Sequence, residues 1–355
     1  MIFRSGGRAL KKIFILLLFL TLNSCAKKDS FNGVLSLGYL LNMTHAVPIV
    51  GIEGGAFTNI EPRFFTAGGH LLDGFLTGNI DIAYIGPGPY INALNKGVEL
   101  RLLCQTAIGG NSLIVKPEYN PEQPYHLKNI AIPQYGNTQD LLAKILVEKI
   151  SAHNKLIDST HKMIREVASN TSLQLDKNFT FVAVNPAELE TAFFINAVDS
   201  ALVAEPWGTT LTQKGFVDLN SLLATKSVSI ADELEGVVDL TLRQQLAYIN
   251  EFPATILVVR EDFYKQHRDL VDRFVAEQNQ VLEQIKINPE GAIMLIKNHL
   301  EKNTNKKFDY EFLLASFKKV KFDDRIDGKF FDELARAGYK ANYYRRLTKF
   351  EVTRT

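Results

Sequence analysis

The chain has 355 residues, with 40 lysines and arginines against 39 aspartates and glutamates and a formal net charge of +1. Such a balance gives no reason to expect nucleic acid or an acidic surface as partner. With 46% apolar residues and two cysteines, it can fill one large core or two ordinary ones and cannot be a disulfide scaffold.

The first 25 residues differ from the rest. Arg4, Arg8, Lys11 and Lys12 precede an apolar run from Ile13 to Leu20. That run is well short of the roughly 20 residues that span a bilayer, so it reads as the core of a signal peptide. Leu22-Asn23-Ser24-Cys25 then resembles a bacterial lipobox, in which Cys25 is lipidated and becomes the first mature residue, tethering the protein without spanning the membrane. Plain secretory cleavage beside an incidental cysteine is the alternative, and it places the protein on the same side. Cys104 is the remaining thiol; inside the apolar run Leu100 to Ala107 it reads as buried and inert.

From Val34 to Trp207, short β-like runs alternate with helix-like segments, the pattern of an α/β fold. Val34 to Tyr39 reads as a strand, and Asn42-Met43-Thr44-His45 leads into a helix with Pro48 in its first turn. A second strand closes at Phe64-Phe65, and Thr66 to Gly69 opens a helix carrying Leu71, Leu72, Phe75 and Leu76 and ending at Gly78. Further strands are expected at Ile80 to Ile85, Leu100 to Ala107, Ser112 to Lys116, Asn129 to Pro133, Phe179 to Val184, Asp199 to Ala204 and Thr255 to Arg260. Helices are expected after Gly86-Pro87-Gly88-Pro89, from Gly136-Asn137-Thr138, and over Ala187 to Ile195. Beyond Arg260 the chain is mostly helical, with Leu270, Phe274, Val281 and Ile285 near a 3.6 period. Ser151 to Asn178 is polar and reads as a surface excursion with some helix. The tail with Arg345, Arg346, Lys349 and Arg354 reads as solvated.

Four loops share one form. Thr66 to Gly69, Gly86 to Pro89, Gly109 to Ser112 and Gly136 to Thr138 are small, donor-rich, and expected to lead from a strand into a helix. Ligands of open α/β sheets bind beyond the carboxyl ends of strands, and helix N-termini offer free N–H groups to an anion. Catalytic patterns are absent: there is no Gly-x-Ser-x-Gly, no phosphate loop and no His-Glu-x-x-His. His45, His70, His126, His153, His161, His267 and His299 show no metal-ligand spacing. His45 is either a hydrogen-bond donor to a ligand or a plain helix-start residue.

Five stretches, in order, carry a resemblance. They are Gly38-Tyr39 through Thr44-His45-Ala46; Leu76-Thr77-Gly78-Asn79-Ile80-Asp81-Ile82-Ala83-Tyr84-Ile85-Gly86-Pro87-Gly88-Pro89; Pro133 to Asp140; Asn185-Pro186-Ala187-Glu188; and Glu205-Pro206-Trp207-Gly208. Together they resemble the nitrate, sulfonate, taurine and thiamine-precursor binding family of ABC importers, from about Val34 to Tyr339. The resemblance implies a two-lobed class II periplasmic-binding fold, each lobe a mixed, mostly parallel sheet flanked by helices, with a helical C-terminal region. Lobe 1 would be discontinuous, 31–110 plus 258–345, lobe 2 would be 111–257, and 346–355 would be a basic tail. Crossovers would fall near Gly109 to Ser112 and Phe252 to Ile256.

Ligand contacts implied by the resemblance are Asn42, Thr44, His45, Thr66, Gly68, Gly69, Gly86, Pro87, Asn111, Ser112, Asn137, Thr138 and Glu205. Trp207 either packs beside the ligand or anchors its helix. Glu205 suits an amine or ring N–H and disfavours a bare anion unless it is salt-bridged. The implied protein is a monomeric extracytoplasmic lipoprotein, facing the periplasm or cell exterior, that hands a small anionic or zwitterionic solute to a permease and ATPase. It needs no cofactor, metal or nucleic acid. A receptor for a thiamine pyrimidine precursor is the nearest alternative. A pyrimidine-precursor synthase is the other, but its pyridoxal phosphate and cysteine-rich iron motif sit badly with one remaining cysteine and an export signal. The Ser151 to Asn178 stretch is longer than the family pattern.

Overall fold

The computed structural model describes residues 31, 33–119, 125–158, 173–225 and 236–347. The signal segment with Cys25, the stretch 159–172 with His161, the side chain of His153, and the tail from 348 lie outside the described residues. The unit that begins at Leu35 holds two sheets.

The first sheet starts with β1 (Leu35–Leu40), β2 (Ile60–Phe65), β3 (Ile82–Ile85) and β4 (Leu100–Gly109), and is completed by β10 (Pro253–Arg260) and β11 (Val320–Lys321), in the order β11-β4-β10-β3-β1-β2. β1 runs parallel to β2 and β3, which requires crossovers; α1 (Ala46–Glu53) and α2 (Gly68–Leu76) supply them. β10 reads Pro-Ala-Thr-Ile-Leu-Val-Val-Arg and is buried almost throughout, as befits a central strand covered on both faces.

The second sheet holds β5 (Asn111–Val115), β6 (Tyr125–Ile132), β7 (Leu173–Ala183), β8 (Ser200–Ala204) and β9 (Val217–Asp218), in the order β7-β6-β8-β5-β9. Both sheets are mixed, but parallel pairs are not the majority that the resemblance implied. β10 is antiparallel to both β3 and β4, and β5 is antiparallel to both β8 and β9. The reason is that β5 and β10 arrive directly from the opposite lobe, without a helical crossover to turn the chain back.

The remaining helices are α3 (Pro87–Asn95), α4 (Thr138–Asp158), α5 (Leu189–Phe194), α6 (Trp207–Gln213), α7 (Leu219–Thr225), α8 (Gly236–Ile249), α9 (Glu261–Gln266), α10 (Arg268–Ile287), α11 (Pro289–Thr304), α12 (Tyr310–Phe317) and α13 (Gly328–Lys340). α10 buries Val271, Phe274, Val281 and Ile285 on one stripe, as its period requires. Cys104 is buried against it with Sγ 3.4 Å from Gln278 Oε1, and burial pushes the thiol up to about 12. The polar stretch after Ser151 carries helix as expected, α4 running through to Asp158, but its far end is strand, with β7 beginning at Leu173.

Two segments pass between the sheets. At the first, Gly109 and Gly110 both take left-handed φ values, 74° and 67°, which L side chains rarely adopt. Gly109 to Ser112 therefore does not open a helix, contrary to expectation; two left-handed residues redirect the strand, and the apolar run Leu113 to Val115 extends at once into β5. The second crossover follows α8. Asn250 Oδ1 accepts the Asn111 N–H at 2.9 Å and its Nδ2 donates to the Asn111 carbonyl at 3.1 Å, so the two crossovers run side by side. One buried apolar cluster spans both lobes, taking in Ile85 and Ile256, Leu113 and Leu202, and Phe330, Phe331 and Leu334 of α13.

Candidate functional site

The lobes touch where α3 and α4 begin. The Gly88 N–H of α3 donates to Thr138 Oγ1 of α4 at 3.2 Å. A Cβ on Gly88 would stand 2.6 Å from the Asn137 carbonyl carbon and the Thr138 nitrogen, so glycine alone permits this approach. Gly68 lies against Pro89, and the Gln134 amide stands 3.5 Å from where a Cβ on Gly69 would be. Gly68, Gly69, Gly86, Pro87, Asn137 and Thr138 are thus drawn together from three separate stretches of sequence. Thr66 is exposed, and its hydroxyl is engaged with His70 Nδ1 at 2.8 Å.

A second group gathers at the crossovers. Asn42 caps the 3-10 turn Met43–His45: its Oδ1 accepts the Thr44 hydroxyl at 2.9 Å and the His45 N–H at 3.3 Å. Thr44 is buried, with its methyl 3.5 Å from where a Cβ on Gly110 would be. His45 is buried too, and its Nδ1 accepts the Leu40 N–H at 3.3 Å, which assigns the ring proton to Nε2. Burial drives its pKa down to about 3, so the ring is neutral at physiological pH. Asn111 donates from Nδ2 to the Gly109 carbonyl at 3.3 Å and accepts from Gln139 Nε2 at 3.1 Å, linking β5 to the first turn of α4.

The third group is charged. Glu205 ends β8 beside a cis bond to Pro206, and its carboxylate is wholly buried. Oε1 lies 3.3 Å from Ser112 Oγ and 3.0 Å from Lys319 Nζ; Oε2 accepts the Thr209 N–H at 3.2 Å. Lys319 also reaches Asp218 of β9 at 2.8 Å, and Asp218 accepts the Ser112 hydroxyl at 3.0 Å. Burial works against the Lys319 ammonium, yet the two carboxylates outweigh it and raise its pKa. Trp207, half-buried at the start of α6, packs on the second-sheet core with Val182, Val184 and Phe216, which is the helix-anchoring arrangement.

This geometry revises the expectation of converging free helix N-termini. The start of α3 is occupied by Thr138. At α4, Asn137 Oδ1 accepts the Asp140 N–H at 2.8 Å and Asp140 Oδ2 accepts the Gly136 N–H at 2.7 Å. Glu205 occupies the start of α6. Of the helices that follow these loops, α2 keeps an N-terminus without a side-chain cap, with Ala67 preceding it. What these residues offer is amides, hydroxyls, one neutral imidazole, and two buried carboxylates against one ammonium. Such a set suits a ligand that brings N–H donors as well as acceptors.

Sequence reasoning missed Gln139, Asp218, Asn250 and Lys319. Gln139 lay within a recognised motif and carried a signal. Lys319 carried none, because its partners are distant in sequence. Among the described residues, no group of three His, Cys, Asp or Glu side chains is placed to hold a metal, and no helix is long and apolar enough to cross a membrane.

The model of the NMT1-like family matches residues 32–284. No curated protein sequence matches the chain. Several solved structures share the two-lobed periplasmic-binding fold. The ligand-binding component of an ABC-type import system from Staphylococcus aureus, solved with zinc bound, has 17% identity and a TM-score of 0.59, over 88% of this chain and 92% of that one. The alkanesulfonate-binding protein SsuA from Xanthomonas axonopodis pv. citri, bound to MOPS, has 15% identity and a TM-score of 0.56, over 89% and 96%. The periplasmic nitrate-binding protein NrtA from Synechocystis has 14% identity and a TM-score of 0.60, over 88% and 82%.

Proposed function

The chain belongs to the NMT1-like family, and from that premise we propose that it is the solute-binding receptor of an ABC importer and carries out no catalysis. It works outside the cytoplasmic membrane as a monomer, tethered through a lipid on Cys25, and delivers its solute to a permease and ATPase. The lobes are 31–110 with 258–345, and 111–257. The observation that supports this reading is the meeting of α3 and α4 through Gly88 and Thr138, where donor-rich loops of both lobes come into contact. A solute touching both lobes favours the closed state through its higher affinity for that state, which is all that capture requires.

The solute is a small anion or zwitterion of the taurine, sulfonate or nitrate kind. Zwitterions fit best, because Lys319 balances only one of the two buried carboxylates. A thiamine pyrimidine precursor is the second reading, favoured by the amides of Asn111, Gln139 and Asn137 and the neutral His45, which match a ring with paired donors and acceptors.

Thermal shift of the soluble form starting at Ala26 tests both, against taurine, alkanesulfonates, nitrate, bicarbonate and thiamine pyrimidines. A ligand at a hundredfold its dissociation constant adds about 2.7 kcal/mol. A shift with one class, lost in Asn111→Ala or Glu205→Ala, establishes the receptor and names its solute. Silence across the panel sinks this solute class.

A further inference from the structure

Lys319 comes from the segment that leads into β11 of the first sheet, whereas the carboxylates it meets belong to the second. Its carbonyl accepts the Gly110 N–H at 3.0 Å, fixing its backbone to the first crossover. Its Nζ stands 3.0 Å from Glu205, 2.8 Å from Asp218 and 3.4 Å from Ser112 Oγ. The side chains of Glu205 and Asp218 are 0% and 1% exposed, so without the ammonium two buried negative charges would be left with only neutral donors, the Ser112 and Ser221 hydroxyls and the Thr209 and Asn220 N–H groups. Removing one partner of a buried ion pair leaves an uncompensated charge and is strongly unfavourable. Water entering between the lobes is the simplest relief, and it requires them to part.

We propose that Lys319 is a positioning residue of the cleft: it ties the first lobe to the second and holds Glu205 and Ser112 in place for a ligand that it does not itself contact. This rests on the receptor reading of the cleft. The lysine makes the empty receptor favour a nearly closed form, so that the solute completes closure from close range.

The test uses no ligand, so its failure leaves the receptor reading standing. The Gly88 amide is protected by its bond to Thr138 of the other lobe, and its hydrogen exchange reports whether the lobes are together. In the full chain, Lys319→Met speeds Gly88 exchange by about tenfold or more, while Lys319→Arg keeps it near the wild-type rate. A neutral triple variant, Lys319→Met with Glu205→Gln and Asp218→Asn, leaves no charge in this cluster and folds even if the single variant does not; it also exchanges faster. Wild-type exchange at Gly88 in the triple variant, or equal acceleration by Lys319→Arg and Lys319→Met, overturns the proposal.

Discussion

One joint between the lobes is made of charge and the other of carbon. At the crossovers, Lys319 reaches from the first sheet to Glu205 and Asp218 of the second, and each atom has one place to be. Under α13 the contact is apolar: Phe330 lies 4.6 Å from Phe252 at the second crossover, and beside it Phe331 stands edge-on to Tyr90 of α3 within the first lobe, with ring centroids 6.5 Å apart. α13 also reaches lobe-2 helices through Tyr248 Oη to Glu333 at 2.7 Å and Lys340 to Glu148 at 2.5 Å. The helix read from sequence as part of the first lobe is therefore packed on both. Apolar contact is strong but tolerates sliding, whereas a buried charge cluster works in one geometry. The α13 joint supplies adhesion and the lysine joint supplies register.

Breaking the adhesive joint has the largest expected effect. Phe331→Ala empties a fully buried ring site and costs about 3–5 kcal/mol of unfolding free energy, measured by denaturant titration. Blocking closure comes next. Gly88→Ala puts a methyl against the Asn137–Thr138 backbone and penalises the closed form by about 1–3 kcal/mol, seen as a lower unliganded melting temperature and a loss of ligand-induced thermal shift.

Acid sharpens the comparison, because His45 sits beside the crossover joint and α13 has no such group against it among the residues named above. The ring titrates near 6.5 when unfolded and near 3 when buried, so the unfolded state takes up more protons between those values. Its stability contribution is complete above pH 6.5 and falls as pH drops toward 3, at about 1.4 kcal/mol per pH unit. His45→Asn flattens that slope in melting curves taken from pH 7 to 4. The smallest effect belongs to Lys340→Ala: its pair with Glu148 is well exposed, and the loss is roughly 0–0.5 kcal/mol. A loss comparable to that of Phe331→Ala would show that α13 is held by charge after all.

Much of this was legible from local pattern. Apolar runs placed the strands to within a few residues, and the glycine-rich loops marked where α2, α3 and α4 begin. β7 was caught only in its apolar half, because its first half, Leu-Gln-Leu-Asp-Lys-Asn, has the composition of a loop. Ile80 looked like the start of β3 but is a core side chain in the turn before it. Strand order could not be read, since nothing in the sequence of β10 says that it separates β3 from β4. Lys319 sits in Phe-Lys-Lys-Val-Lys, which reads as a solvated face; its role depends on carboxylates that meet it only after both sheets have formed. The helix termini were seen, but not that Thr138 reaches the start of α3 across the fold.

The place of β10 also governs how the protein is made. The chain completes β3 and β4 by Gly109, yet the strand that joins them, pairing Ile256 with Ile85 and Leu257 with Cys104, emerges only after all five strands of the second sheet. Synthesis runs from the N-terminus, so the inserted lobe can assemble first while the earlier sheet waits in two halves with bare edges. Such edges template wrong pairing, and distant contacts form slowly. Completion of the first sheet therefore waits on the arrival of one late strand.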